Sequence, residues 1–121
     1  MKQRTHYRLK TWQLSIELVS HVYNVTKQFP RQEIYALTEQ MRRSAISIPS
    51  NIAEGAARTT AREFLNFLSI ARGSLSELET QIIISRRLGY LENNADIEEE
   101  INELFLLLNG LMRSVRQKVT A

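Results

Sequence analysis

Apolar residues recur at three- and four-residue steps along most of the chain, the spacing that lines one face of an α-helix. Between residues 9 and 29 two stripes run side by side: Leu9, Trp12, Ile16, Val19 and Tyr23, and beside them Leu14, Leu18, Val22, Val25 and Phe29. Two stripes on one helix imply two covered faces, one turned to the core and the other to a partner subunit. Phe29-Pro30 ends this segment, because proline disfavours helical backbone in the residue before it. From Ile34 the rhythm resumes through Leu37, Met41, Ala45, Ile48 and Ile52 and closes near Arg58. Pro49 lies inside that segment and cannot donate to the Ala45 carbonyl, so a kink with continuation is expected. Its neighbours Ser44, Ala45, Ser47, Ser50, Ala53, Gly55, Ala56 and Ala57 are small, which lets another helix approach closely.

The third segment opens on Thr59 or Thr60 as N-cap, with Glu63 three residues after Thr60 as a capping box requires. It carries Phe64, Leu68, Ala71, Leu75, Leu78 and Ile82 and stops at Gly89, a natural left-handed terminator after Leu88. The fourth starts at Asn93 or Asn94 and shows Ile97, Ile101, Leu104, Leu108, Leu111 and Val115 as an apolar heptad. Its acids gather in the first turns and Arg113, Arg116 and Lys118 in the last, as the helix dipole favours. Helices over about 9–29, 34–58, 60–88 and 94–118, joined by short connections, predict an all-α, antiparallel up-and-down four-helix bundle in a single domain spanning 1–121. No strand pattern, internal repeat or low-complexity linker competes with this reading.

Composition narrows the functional classes. The 121 residues suffice for one domain with a real core, and 43% hydrophobic with 24% charged residues is ordinary for a globular protein. No apolar run is long enough to span a membrane, no secretory signal opens the chain, and no cysteine is present, so a cytoplasmic location is expected. The net charge of +3 conceals an asymmetry. Glu92, Asp96, Glu98, Glu99, Glu100 and Glu103 crowd one stretch, and the remainder is basic. Residues 1–8 read as a basic N-terminal arm containing Lys2, Arg4 and Arg8.

Candidate chemistry is sparse. His21 lies four residues after Glu17, the spacing of a surface pair, and His6 sits in the basic arm without a visible partner. With two histidines and one aspartate, and without a phosphate loop, nucleophile elbow or metal motif, neither an enzyme nor a metal or cofactor protein is expected. Asn51, Glu54, Glu77 and Gln81 fall where a polar ladder joining the middle helices could form, and a structural role is the expectation for them. Arg42, Arg43, Arg58, Arg62, Arg86, Arg87, Arg113 and Arg116 are candidate phosphate contacts, since the guanidinium fork suits phosphate oxygens. Spacing alone leaves open whether they share a face.

Two runs carry a family resemblance: Ser47-Ile48-Pro49-Ser50-Asn51-Ile52-Ala53-Glu54-Gly55 and Gly73-Ser74-Leu75-Ser76-Glu77-Leu78-Glu79-Thr80, supported by Trp12-Gln13 and Phe29-Pro30. Over roughly residues 12 to 91 the chain resembles the bacterial four-helix-bundle proteins encoded in intervening sequences of large-subunit ribosomal RNA genes. Ala36 stands where a glycine is expected between Tyr35 and Leu37. More distantly the chain is similar to the accessory protein of diversity-generating retroelements. The resemblance implies a ring-like homopentamer without catalytic residues and an association with RNA or DNA. The expected function is therefore a non-enzymatic oligomer that binds structured RNA or other nucleic acid through repeated basic helix surfaces. The alternative is a scaffold that holds a partner protein.

Overall fold

A computed structural model describes residues 4–92 and 96–120. Four helices, α1 (Lys10–Thr26), α2 (Leu37–Ala56), α3 (Ala61–Arg87) and α4 (Asp96–Thr120), make up the fold, with short 3-10 turns at Thr5–Arg8 and Arg31–Glu33 and no strand among the described residues. Each helix packs on two neighbours, α1 on α2 and α4, α3 on α2 and α4, while the diagonal pairs stay more than 8 Å apart, Cα to Cα. Successive helices alternate in direction, the expected four-helix bundle.

The core draws on one stripe from each helix: Leu18 and Val22 of α1, Met41, Ala45, Ile48 and Ile52 of α2, Leu68, Ala71, Leu75, Leu78 and Ile82 of α3, and Ile97, Ile101, Leu104, Leu108, Met112 and Val115 of α4. Removing each large aliphatic side chain from water contributes about 1.5–3 kcal/mol. Two stripes differ from expectation. In α4 Met112, not Leu111, continues the buried row, because a straight helix turns 3.6 residues per turn and drifts off a strict heptad. In α1 the stripe containing Leu18 and Val22 is the buried one, whereas Trp12 and Val19 are half-buried and Ile16 and Tyr23 exposed.

Boundaries follow local chemistry. α1 stops at Thr26, whose hydroxyl donates to the Val22 carbonyl at 2.7 Å, earlier than the apolar pattern suggests. Phe29 still turns into the core and meets the Tyr90 ring at 5.5 Å. α2 begins at Leu37, not Ile34: Ala36 has φ −127° and ψ −107°, outside helical geometry. The Glu33 carboxylate reaches across this break and accepts from the Leu37 amide at 3.4 Å. Pro49 is buried within an α2 that continues to Ala56. Thr60 caps α3 as the capping box requires, accepting from the Glu63 amide at 3.2 Å and donating to its carboxylate at 3.0 Å. Gly89, at φ +78°, closes α3 with the Tyr90 amide bonded back to the Ser85 carbonyl. The expected cap of α4 at Asn93 or Asn94 lies outside the described residues.

The small residues of α2 serve its contact with α3, the most extensive in the bundle. A Cβ on Gly55 would stand 2.7 Å from the Phe67 Cβ and 2.9 Å from Phe64 Cδ1, so the two backbones are as close as this glycine permits. The N-terminal arm is not a loose extension over its described part. His6 and Tyr7 fold back on Trp12, with ring centroids 5.1 and 5.2 Å away, and the Gln13 amide donates to the Tyr7 carbonyl at 2.7 Å.

Candidate nucleic-acid interface

Antiparallel alternation sorts the charges by end. At one end meet the Thr5–Arg8 turn, the start of α1, the α2–α3 connection and the last turns of α4. This pole bears the exposed side chains of Arg4, Arg8, Lys10, Arg58, Arg62, Arg113, Arg116 and Lys118, with Glu54 and Glu63 as its carboxylates. Arg58 engages both acids, Glu54 at 3.0 Å and Glu63 at 3.9 Å, and its guanidinium lies 4.8 Å over the Phe67 ring. Arg62 and Arg113 form no ion pair with any described carboxylate. Among the described residues, eight cations around two acids create a positive potential that extends about a Debye length, roughly 8 Å at physiological salt, into solvent.

The opposite end has Lys27, Arg31, Arg42, Arg43, Arg86 and Arg87 against Glu33, Glu39, Glu92, Asp96, Glu98, Glu99, Glu100 and Glu103. Much of this charge is tied into the fold. Arg86 grips Glu98 with two nitrogens, Nε to Oε2 at 2.6 Å, and also donates to the Glu92 carbonyl, so it fastens α3 to the start of α4. That bond to Glu98 raises its pKa above the usual arginine value. Tyr90 donates to the Glu33 carboxylate at 2.9 Å, which raises the phenol's pKa. Arg43 lies 3.6 Å from Glu39. Arg42 donates to Thr26 Oγ1 at 2.9 Å and covers the Tyr23 ring at 4.5 Å.

The eight candidate arginines therefore form no single face. Arg58, Arg62, Arg113 and Arg116 share the basic pole, whereas Arg42, Arg43, Arg86 and Arg87 lie at the far end. The polar ladder is also redistributed. The link between α2 and α3 is made by Ser47 and Ser74, hydroxyl to hydroxyl at 2.8 Å, with the Asn51 amide donating to the Ser47 carbonyl at 2.8 Å and hydroxyl at 3.0 Å. Glu54 points to Arg58, Glu77 is exposed, and the Gln81 side-chain amide oxygen, Oε1, is buried without a partner. Ser47 stands in the sequence among the small residues that let a helix approach and Ser74 only within the second family run, so spacing does not mark either as a polar link.

His21 corrects another expectation. Its Nδ1 pairs with Glu100 of α4, not with Glu17, because the side chain faces the α1–α4 seam. His6 has Tyr7 and Trp12 as ring neighbours. Among the described residues no three His, Asp or Glu side chains gather closely enough to hold a metal ion, and no helix is long and apolar enough to cross a membrane.

This bundle matches the family model described as 23S rRNA-intervening sequence protein over residues 7–110. The chain belongs to that family. The match includes all of α1, α2 and α3 and more than half of α4, and extends beyond the motifs between residues 12 and 91 into the Tyr7–Trp12 contact and the core stripe of α4. No curated protein matches the chain. Within the 23S rRNA-intervening sequence protein family, then, this member concentrates exposed basic side chains at one pole and internal ion pairs at the other.

Proposed function

We propose that this protein is a cytoplasmic, non-enzymatic oligomer, a ring-like homopentamer, that binds structured RNA or other nucleic acid through its basic pole. The observation that carries the reading is the grouping of Arg4, Arg8, Lys10, Arg58, Arg62, Arg113, Arg116 and Lys118 at one end of the bundle with two acids. The family's description, which names 23S rRNA, supports it. Phosphate contact by such side chains gives affinity with little base specificity, and repetition of the pole in an oligomer multiplies weak contacts into avidity. Binding to a structured RNA should fall linearly on a log–log plot of affinity against salt. Absence of salt-sensitive RNA retention at low ionic strength would withdraw the reading.

A second reading, a scaffold for a partner protein, rests on the uncovered seam between α1 and α2. Ile16 and Tyr23 of α1 and Ile46 of α2 are exposed there at 36–42%, with Trp12, Val19 and Pro49 lining a groove of about 380 Å³. The same apolar strip offers the contact that an oligomer needs, and light scattering on purified protein checks the five-copy mass. Under the scaffold reading, substitution of the pole arginines leaves partner capture intact.

A further inference from the structure

Tyr35 is 90% exposed, yet the turn that carries it is anchored. Pro30 fixes its entry, the Arg31–Glu33 segment is a 3-10 turn, and the Ala36 amide donates back to the Glu33 carbonyl at 3.0 Å. One Glu33 carboxylate holds both sides of the turn, accepting from the Leu37 amide and from the Tyr90 hydroxyl. A ring on an anchored turn loses little freedom when something stacks on it, which favours binding.

The surroundings specify what stacks. A groove of about 300 Å³ opens between Tyr35 and Tyr23, bordered by Arg42, Arg43 and Ile46. Arg42 already lies on the Tyr23 ring at 4.5 Å, and Lys27 and Arg31 are exposed on the neighbouring loop. The single groove acid, Glu39, sits 3.6 Å from Arg43. Thr38 also lines the groove; it is 4% exposed and its hydroxyl has no hydrogen-bond partner. Aromatic rings interleaved with arginines match an unpaired nucleobase flanked by phosphates: the ring stacks on the base and the cations take the backbone. A base locked in a duplex cannot enter such a slot. An apolar protein segment would gain nothing from the two arginines that line the groove.

We infer that the Tyr23–Tyr35 groove is a single-stranded nucleic-acid site, in which Tyr35 stacks on an unpaired base and Arg42 and Arg43 contact its phosphates. The inference rests on the nucleic-acid reading above but uses the end of α2 remote from the basic pole, a helix length of about 30 Å away for twenty residues.

The test measures fluorescence anisotropy of a labelled twelve-nucleotide oligouridylate and of a labelled RNA duplex at low salt, with full-length protein. Tyr35→Ala should weaken oligouridylate binding about ten-fold and leave duplex binding unchanged, while Tyr35→Phe, which keeps the ring, should bind both like the parent. Because Tyr35 is exposed, the alanine variant should fold normally. If the parent binds neither probe, the nucleic-acid reading itself fails. If it binds both and Tyr35→Ala changes neither, only the stacking site is overturned. A changed mass of Tyr35→Ala in light scattering, with RNA affinity intact, overturns it equally and assigns the groove to contact between copies.

Discussion

The two ends of the bundle carry comparable numbers of cations and use them differently. At the end containing Arg86, charge is turned inward: Arg86 to Glu98, His21 to Glu100, Tyr90 to Glu33. At the end containing Arg62, Arg62 and Arg113 form no ion pair with any described carboxylate, and Arg58 is engaged by Glu54 and Glu63. An arginine that already holds a carboxylate must give it up to bind phosphate, and the loss of that charge-assisted bond opposes the exchange. An exposed arginine has no such cost. The cation count alone would not distinguish the ends; the acids beside them and the ion pairs they form do.

This contrast predicts a double dissociation. Its largest expression is in binding: Arg62→Glu with Arg113→Glu should lower affinity for a structured RNA about 100-fold at 50 mM salt, as two lost phosphate contacts imply. It should flatten the salt slope by about two and leave thermal stability nearly unchanged. An equal loss of RNA affinity from Arg86→Met would erase the distinction between the ends. The next largest effect crosses the contrast on purpose. Gly55→Ala forces α2 from α3 where the alanine Cβ would meet the Phe67 Cβ at 2.7 Å. Overpacking of about 3 kcal/mol, less about 1 kcal/mol of helix propensity, leaves a net loss of about 2 kcal/mol in urea unfolding. Since Arg58 lies 4.8 Å over the ring of the same Phe67, RNA binding should weaken with it. Gly73→Ala, with open space where its Cβ would go, should stabilise the protein instead.

How far these features were legible in the residues depends on whether they are local. The core rows of α2 and α3, Ile48 and Ile52 against Leu75 and Ile82, and the caps at Thr60 and Gly89 follow from spacing and turn chemistry. The two stripes of α1 could not be ranked, because each is apolar and only the other three helices decide whether Leu18 or Ile16 points inward. The family resemblance reached the right family from two short runs in α2 and α3. The site was half legible. That Arg58 and Arg62 share an end with Arg113 and Arg116 follows from up-and-down alternation alone. The pairing of His21 with Glu100, 79 positions apart, depends on how far each helix is rotated about its axis, which no local spacing encodes. The same rotation turned Glu54 outward to Arg58 and gave the α2–α3 link to Ser47 and Ser74.

At the inward-turned end, Arg86→Met should cost about 1.5 kcal/mol, since a charged hydrogen-bond pair is lost where the Arg86 side chain is 18% exposed. That amounts to a fall of about 6 °C in Tm, with RNA affinity changed less than two-fold.

The smallest effect is a pH dependence, and it comes from Tyr90. Its hydroxyl donates to Glu33 at 2.9 Å, a bond that only the neutral phenol can make, so the folded pKa lies above the ordinary value of about 10. As pH rises past that value, the unfolded chain releases the phenolic proton before the folded one does. The folded state then binds more protons than the unfolded state, and stability falls with increasing pH. The contribution is complete below the unfolded pKa and is lost as pH passes the folded one. Tyr90→Phe keeps the ring against Phe29 and removes the titration. Its urea midpoint should therefore decline less steeply than that of the parent above about pH 10, while RNA binding at pH 7 stays the same. Parallel declines would mean that the Glu33 bond does not hold this end together, and the inward use of charge would then rest on Arg86 and His21.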